Sequence, residues 1–209
     1  MKNLYKKLLI LAVCISFMSC NKEKKESENL PVSNIVVVKR IKSEYLNRIR
    51  LTHTLYKKTK FSEGDSIVVL VDFGESYGET RRQKNESINN FFVYNKRNNL
   101  MIASGTKFYD TGINLFRKYN KEGRVIEERD TNKGFTFSAY DLIEKIKKTY
   151  KINLNDGKED RSVHRGLDEK TNKMIYHIKY DINNGLFKYI TVDGLNGYIL
   201  SSGSGQLRD

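Results

Sequence analysis

Beyond residue 31 the apolar positions recur mostly at every second residue, in runs of β-branched and aromatic side chains closed by Asn, Gly and Asp. A period of two belongs to a strand with one face buried, so the chain reads as mainly antiparallel sheet. The run SIVVLVDF at 66–73 is apolar on both parities as far as Asp72 and follows the turn SEGD, which predicts a central strand. Residues 34–41 also read as a strand. The window 43–56 fits a strand through Ile49, Leu51 and Leu55 about as well as a helix through Tyr45, Ile49 and Tyr56; a strand is the expectation carried forward. Between Glu75 and Ser87 the stretch ESYGETRRQKNES shows no apolar period and reads as a long surface loop. Tyr77, Arg81, Arg82 and Lys84 in it are the candidate partner-binding residues.

Two segments match each other at an offset of 25 residues, FVYNKRNNLMI at 92–102 and FRKYNKEGRVIEE at 116–128. Each reads as strand, tight turn, strand. Asn95 or Asn120 opens the turn, and Asn98 or Gly123 takes its left-handed position. The form YNKEGRV resembles the tyrosine-rich hairpin repeats of bacterial surface and toxin-related proteins.

At 138–150 the period changes to that of a helix. In SAYDLIEKIKKTY, Ala139, Leu142, Ile143, Ile146 and Tyr150 form one apolar stripe, and Ser138 with Asp141 makes a capping box. Asp141/Lys145 and Glu144/Lys148 pair across turns. The stripe requires a sheet, and NKMIYHIKYDINNGLFKYITVDGLNGYILSS supplies one, with Asn183-Asn184-Gly185 closing a hairpin. A two-residue loop would set Tyr180 opposite Tyr189. A three-residue loop with Gly185 left-handed sets Ile178 opposite Ile190 and Tyr176 opposite Val192. The second register is expected, because it gathers Met174, Tyr176, Ile178, Ile182, Leu186, Ile190 and Val192 on one face, with Lys188 the exception. Helix, hairpin and last strand, with Tyr189, Val192, Asp193, Gly197, Ile199 and Leu200, resemble a PepSY-like domain. That resemblance implies a noncatalytic extracytoplasmic module that binds or restrains partners; the charged loop 153–170 is longer than is usual in that family.

The expected fold is therefore α+β. A β-meander of hairpins over 32–134 precedes one C-terminal amphipathic helix packed on a three-stranded antiparallel sheet over 135–202, and 203–209 is a flexible tail.

The front of the chain follows another pattern. Lys2, Lys6 and Lys7 precede an apolar stretch at 8–18, the layout of a secretory leader. Eleven residues are too few to span a bilayer, which takes about 20, and 21–28 is polar. Ser19-Cys20 at the junction resembles the lipobox of bacterial lipoproteins, although Phe17 and Met18 stand where that family places leucine and a small residue. The resemblance implies that Cys20 is acylated and becomes the first residue of the mature chain, holding it stably to a membrane outside the cytosol. Cys14 lies within the leader, so no thiol remains for a disulfide. Residues 20–31 end in the chain's one proline and read as a tether. The expected address is the cell envelope, with the outer membrane as the favoured anchor.

Composition narrows the partners. Removing residues 1–19, with three lysines and no acid, takes the formal charge from +13 to +10 and leaves 190 residues. A basic surface suits an acidic protein partner. Nucleic acid is not expected, because the lysines are scattered and no recognition module appears. No cofactor or metal is expected either: His53, His164 and His177 are far apart and carry no ligand spacing. The GDS at 64–66 enters a strand where an esterase serine would leave one, and the DFG at 72–74 lacks the other kinase motifs. Glu127-Glu128 and Glu159-Asp160 are adjacent, and neighbouring carboxylates in a strand point to opposite faces. The expectation is a noncatalytic binding or modulatory module, with an immunity or inhibitor protein against a toxin or protease as the alternative.

Overall fold

The computed structural model describes residues 37, 39–50, 58–156, 160–183 and 185–206. Cys20, the expected leader and tether, residues 51–57 with His53, Glu159 and residues 207–209 lie outside them. The described chain is mostly antiparallel sheet with two α-helices, an α+β arrangement.

Seven strands pair in sequence order: β1 (Lys58–Glu63), β2 (Ser66–Asp72), β3 (Ser76–Gln83), β4 (Ile88–Asn95), β5 (Met101–Phe108), β6 (Thr111–Tyr119) and β7 (Val125–Asp130). β2 is second from an edge and buries one face, through Val68 and Leu70. The two matching segments are the β4–β5 and β6–β7 hairpins, and both place an aromatic–aliphatic pair in one core, Tyr94 opposite Met101 and Tyr119 opposite Val125. The left-handed residue of the second turn is Gly123 at φ 79°, as expected, but in the first it is Asn99 at φ 61° and not Asn98. The first loop is one residue longer, since the Asn95 amide donates to the Leu100 carbonyl where Asn120 donates to Arg124. In both turns the leading asparagine side chain accepts an amide two residues on, from Arg97 and from Glu122, which fixes the start of the turn.

Three expectations for this half are corrected. Residues 43–50 are a helix, α1 (Ser43–Arg50), not a strand. Tyr45 and Ile49, four apart, form a buried face against Val68 and Leu70, and so short a helix takes its stability from that packing. Residues 34–41, also expected as a strand, form none where described: Arg40 makes an isolated bridge to Leu100 and the Val37 amide donates to the Gly123 carbonyl, so this segment crosses the ends of both hairpins. The stretch 75–87 is not a surface loop, because β3 occupies 76–83 in register with both β2 and β4.

Helix α2 (Ala139–Tyr150) begins at the capping box of Ser138 and Asp141 and buries Ala139, Leu142, Ile143 and Ile146. It sits mid-chain. A 3-10 turn (Leu154–Asp156) follows, then β8 (Arg161–Asp168), β9 (Lys173–Asn183), β10 (Leu186–Asp193) and β11 (Ile199–Gln206). The second sheet is four-stranded, in the order β11-β10-β9-β8, so the expected three strands gain β8 from what read as a charged loop. Ile178 faces Ile190 and Tyr176 faces Val192, the expected register, and Gly185 has φ 76°; the tip differs, because Leu186 pairs with Asn183 and a bulge before Phe187 brings the strands into that register. Ile182 and Leu186 nevertheless remain exposed, because the pairing slips between Leu186 and Phe187 and takes the hairpin's end off the buried face. β11 runs to Gln206, so 203–206 is strand and not tail.

One core joins the two sheets. Phe108 and Ile113 from β5 and β6 pack in the cluster that holds the α2 stripe, Val163, Tyr176, Ile178, Ile190 and Val192. The Tyr109 hydroxyl donates to the Leu154 carbonyl at 2.9 Å, and the Ser87 amide donates to the Asn155 side chain at 3.2 Å. Residues Val32–Asp209 accordingly form one compact unit.

Candidate functional site

The first sheet carries a charged cluster on the face that α1 covers. Register decides which side chains meet there: Val68 pairs with Arg81, Leu70 with Glu79, Tyr77 with Tyr94 and Glu79 with Phe92, so Glu79 and Arg81 project to the same face as the apolar core. Glu79 is 3% exposed. A carboxylate there requires partners, and it accepts from the Tyr94 hydroxyl at 2.8 Å with the Arg81 guanidinium at 3.5 Å. Arg81 also reaches Glu63 at 2.6 Å and donates to the Tyr45 hydroxyl at 2.6 Å. Tyr45 in turn donates to Glu63 at 2.8 Å, and Lys42 closes the set at 2.5 Å from the other Glu63 oxygen. Lys39 lies with its ammonium 3.2 Å from the centre of the Phe92 ring.

These contacts set the proton affinities. Hydrogen bonds from Lys42 and Tyr45 hold Glu63 down at about 2. Burial, reinforced by the Glu79 charge, pushes the Tyr94 phenol far above its usual value. Burial lowers Lys39, and the charge of Glu79 opposes that shift. At neutral pH the cluster therefore holds ionised Glu63 against Arg81 and Lys42, with both phenols protonated. Its donors and acceptors are directed at each other, which ties α1 to β1, β3 and β4.

Of the four residues taken for a partner-binding loop, two belong to this face and two to a turn. Tyr77 is buried in the core and Arg81 is the hub of the cluster. Arg82 donates to the carbonyls of Gln83, Lys84 and Glu86 at 3.2, 3.0 and 2.9 Å, closing the β3–β4 turn. Lys84 is exposed, 3.9 Å from Asp65. Sequence reasoning missed Glu63, Glu79, Tyr45, Tyr94 and Lys39. The available signal was the parity of Tyr77, Glu79 and Arg81, an aromatic, an acid and a base two residues apart.

The tempting motifs resolve into structure. Gly64 of GDS turns β1 into β2 at φ 57°, and Asp72 of DFG ends β2, accepting from Lys96 and from the Gly74 amide. Glu127 pairs with Lys118 and Glu128 with Arg117, on opposite faces. His164 and His177, distant in sequence, are directly opposite across β8 and β9. The His177 ring stacks on Tyr189, its Nδ1 is 3.3 Å from the Thr191 hydroxyl, and burial, then the charge of His164, lowers its pKa. Among the described residues no group of three or more His, Cys, Asp or Glu could hold a metal ion, and no helix is long and apolar enough to cross a membrane.

Comparison with protein-family models, with curated proteins and with solved structures finds no match to this chain.

Proposed function

We propose that the protein is an envelope lipoprotein, fastened through Cys20 to a membrane on its extracytoplasmic side, that acts as a noncatalytic binding or modulatory module. The observation that carries this reading is the junction at 17–21, where a basic start and an apolar run end at Ser19-Cys20 before a hydrophilic tether. The module is the α+β unit beyond residue 31, with 135–202 as the PepSY-like part and an acidic protein surface as the partner. The charged cluster belongs to the scaffold of that module: its acids face an arginine, a lysine and two phenols that hold α1 on the first sheet. The test is mass spectrometry of the membrane-fractionated protein. A diacylglyceryl group on an N-terminal Cys20, together with release of Cys20→Ser into the soluble fraction, is the expected result. An unmodified N-terminus, or a Cys20→Ser protein still sedimenting with membranes, refutes it.

A further inference from the structure

Among the described residues the two sheets have four edge strands, β1, β7, β8 and β11, and three of them are guarded. β1 carries Lys58 and Lys60, β7 carries Glu127, Glu128, Arg129 and Asp130, and β8 carries Arg161, Arg165 and Asp168. Charged side chains along an edge deter a further strand from pairing there. β11, with the sequence ILSSGSGQ, has no charge and no proline. Its pairing with β10 runs in unbroken register from Leu186 opposite Gln206 to Thr191 opposite Ser201, so no bulge turns this part of the edge away. No described residue pairs with its other side.

The surroundings of that edge are built for contact. Gly203 and Gly205 leave room for rings from β10 to lie across β11: a Cβ on Gly203 would stand 2.6 Å from the Tyr189 hydroxyl, and one on Gly205 would stand 2.5 Å from the tip of the Phe187 ring. At the start of the strand Tyr198 and Leu200 are 68% and 40% exposed. Lys188 lies beside it on β10, and Lys179 stands one strand further back on β9, on the opposite face. Lys179 sits 4.1 Å over the Phe187 ring, and Lys188 is exposed opposite Ser204; neither forms an ion pair with a described residue. A strand added to β11 would lie about two spacings of 4.8 Å from β10, which carries Lys188, a gap that lysine and glutamate side chains span together.

We propose that β11 receives an extended, acidic segment of a partner protein as a fifth strand of the second sheet. Main-chain hydrogen bonds along Ser201–Gln206 hold it, apolar side chains of the segment meet Tyr198, Leu200 and the Tyr189 and Phe187 rings, and its carboxylates face Lys188, with the Lys179 ammonium behind the Phe187 ring adding positive charge. A second copy of this chain is the poorer occupant, because each copy brings the same lysines and a formal charge of +13, or +10 without residues 1–19. The proposal names the partner's chemistry for the binding role above and does not depend on the anchor.

The test follows amide hydrogen exchange across the full chain in detergent, with three capped peptides as probes: alternating Thr and Val with two glutamates, the same with two lysines, and the glutamate peptide interrupted by prolines. The glutamate peptide is expected to slow exchange in Ser201–Gln206 several-fold, the lysine peptide to do less, and the proline peptide to do nothing. Ser202→Glu combined with Ser204→Glu, both on exposed positions, is expected to keep the melting temperature and to reverse the preference in favour of the lysine peptide. Four results overturn the proposal: no protection by any probe, protection of β7 or β8 instead, equal protection by both charged peptides, or protection of β11 that grows with protein concentration alone. Because no step requires a membrane, failure here leaves acylation of Cys20 standing, and an unacylated chain leaves the edge standing.

Discussion

Replacing Tyr94 by phenylalanine removes one hydroxyl from a site that water does not reach and leaves the rest of the packing intact. The side chain is fully buried, and its hydroxyl donates at 2.8 Å to Glu79, itself almost fully buried. A hydrogen bond to a charged acceptor contributes about 1.5–3 kcal/mol, and a buried carboxylate that loses a donor carries its desolvation cost unrelieved. Arg81, at 3.5 Å, is too far to replace a bond of that quality. Tyr94→Phe is therefore expected to cost about 1.5–3 kcal/mol. In a Glu79→Gln background the same change breaks a neutral bond and should cost only about 0.5–1.5 kcal/mol, a coupling of roughly 1 kcal/mol or more. Urea unfolding at neutral pH reads this directly: with a slope of about 1–3 kcal/mol/M, the single variant lowers the midpoint by about 1 M while the slope stays constant. A Tyr94→Phe protein within about 0.5 kcal/mol of the parent, or strict additivity in the double variant, would refute the assignment of Glu79 as a charge held by its phenol.

Ser138→Ala removes the capping box of α2 and should cost about 1 kcal/mol in the same assay, with Ser138→Asp close to the parent. Gly197 has φ 75° and a Cβ there would stand 2.5 Å from the Phe137 ring, so Gly197→Ala should cost roughly 1–3 kcal/mol and shift the Phe137 resonances. His177 has its folded pKa depressed below 6.5 by burial and then by His164, so its contribution is complete above pH 6.5 and is lost as the pH falls through the folded value. His177→Gln should flatten the stability profile below that point, measured by urea midpoints at successive pH values. Tyr109, raised to about 12 by burial, has the opposite sign: its contribution holds below pH 10 and is lost as the pH climbs from 10 toward 12. Tyr109→Phe should reduce that alkaline loss.

What could be read from the chain, and what could not, divides along burial. The hairpins at 92–102 and 116–128 and the register of Ile178 with Ile190 were legible because apolar residues alternate through them and a turn residue marks each centre. β3 was not, since its inward positions are Tyr77, Glu79 and Arg81 and its outward Gly78 lies under the Phe73 ring. A polar residue facing inward reads as loop unless its partner is known, and those partners, Tyr94, Glu63 and Tyr45, come from three other elements. β8 offered only Val163 as a buried position, and α1 only Tyr45 and Ile49, too few to fix a period. Asn99 displaced Asn98 because the first hairpin loop is longer by one residue. The charged cluster is a product of cross-strand register, which single-strand periodicity does not encode.

The shared core of Phe108 and Ile113 with Ile190 and Val192 has a consequence in time. Every pairing in the meander is between neighbours in sequence and can zip as the polypeptide emerges, first residues first. Closure of the far end of β5 and β6 must wait until the last hairpin has been delivered. Until that moment a nascent molecule carries an uncovered greasy rim, which makes this interval the one in which a holding chaperone matters and a truncated product clumps.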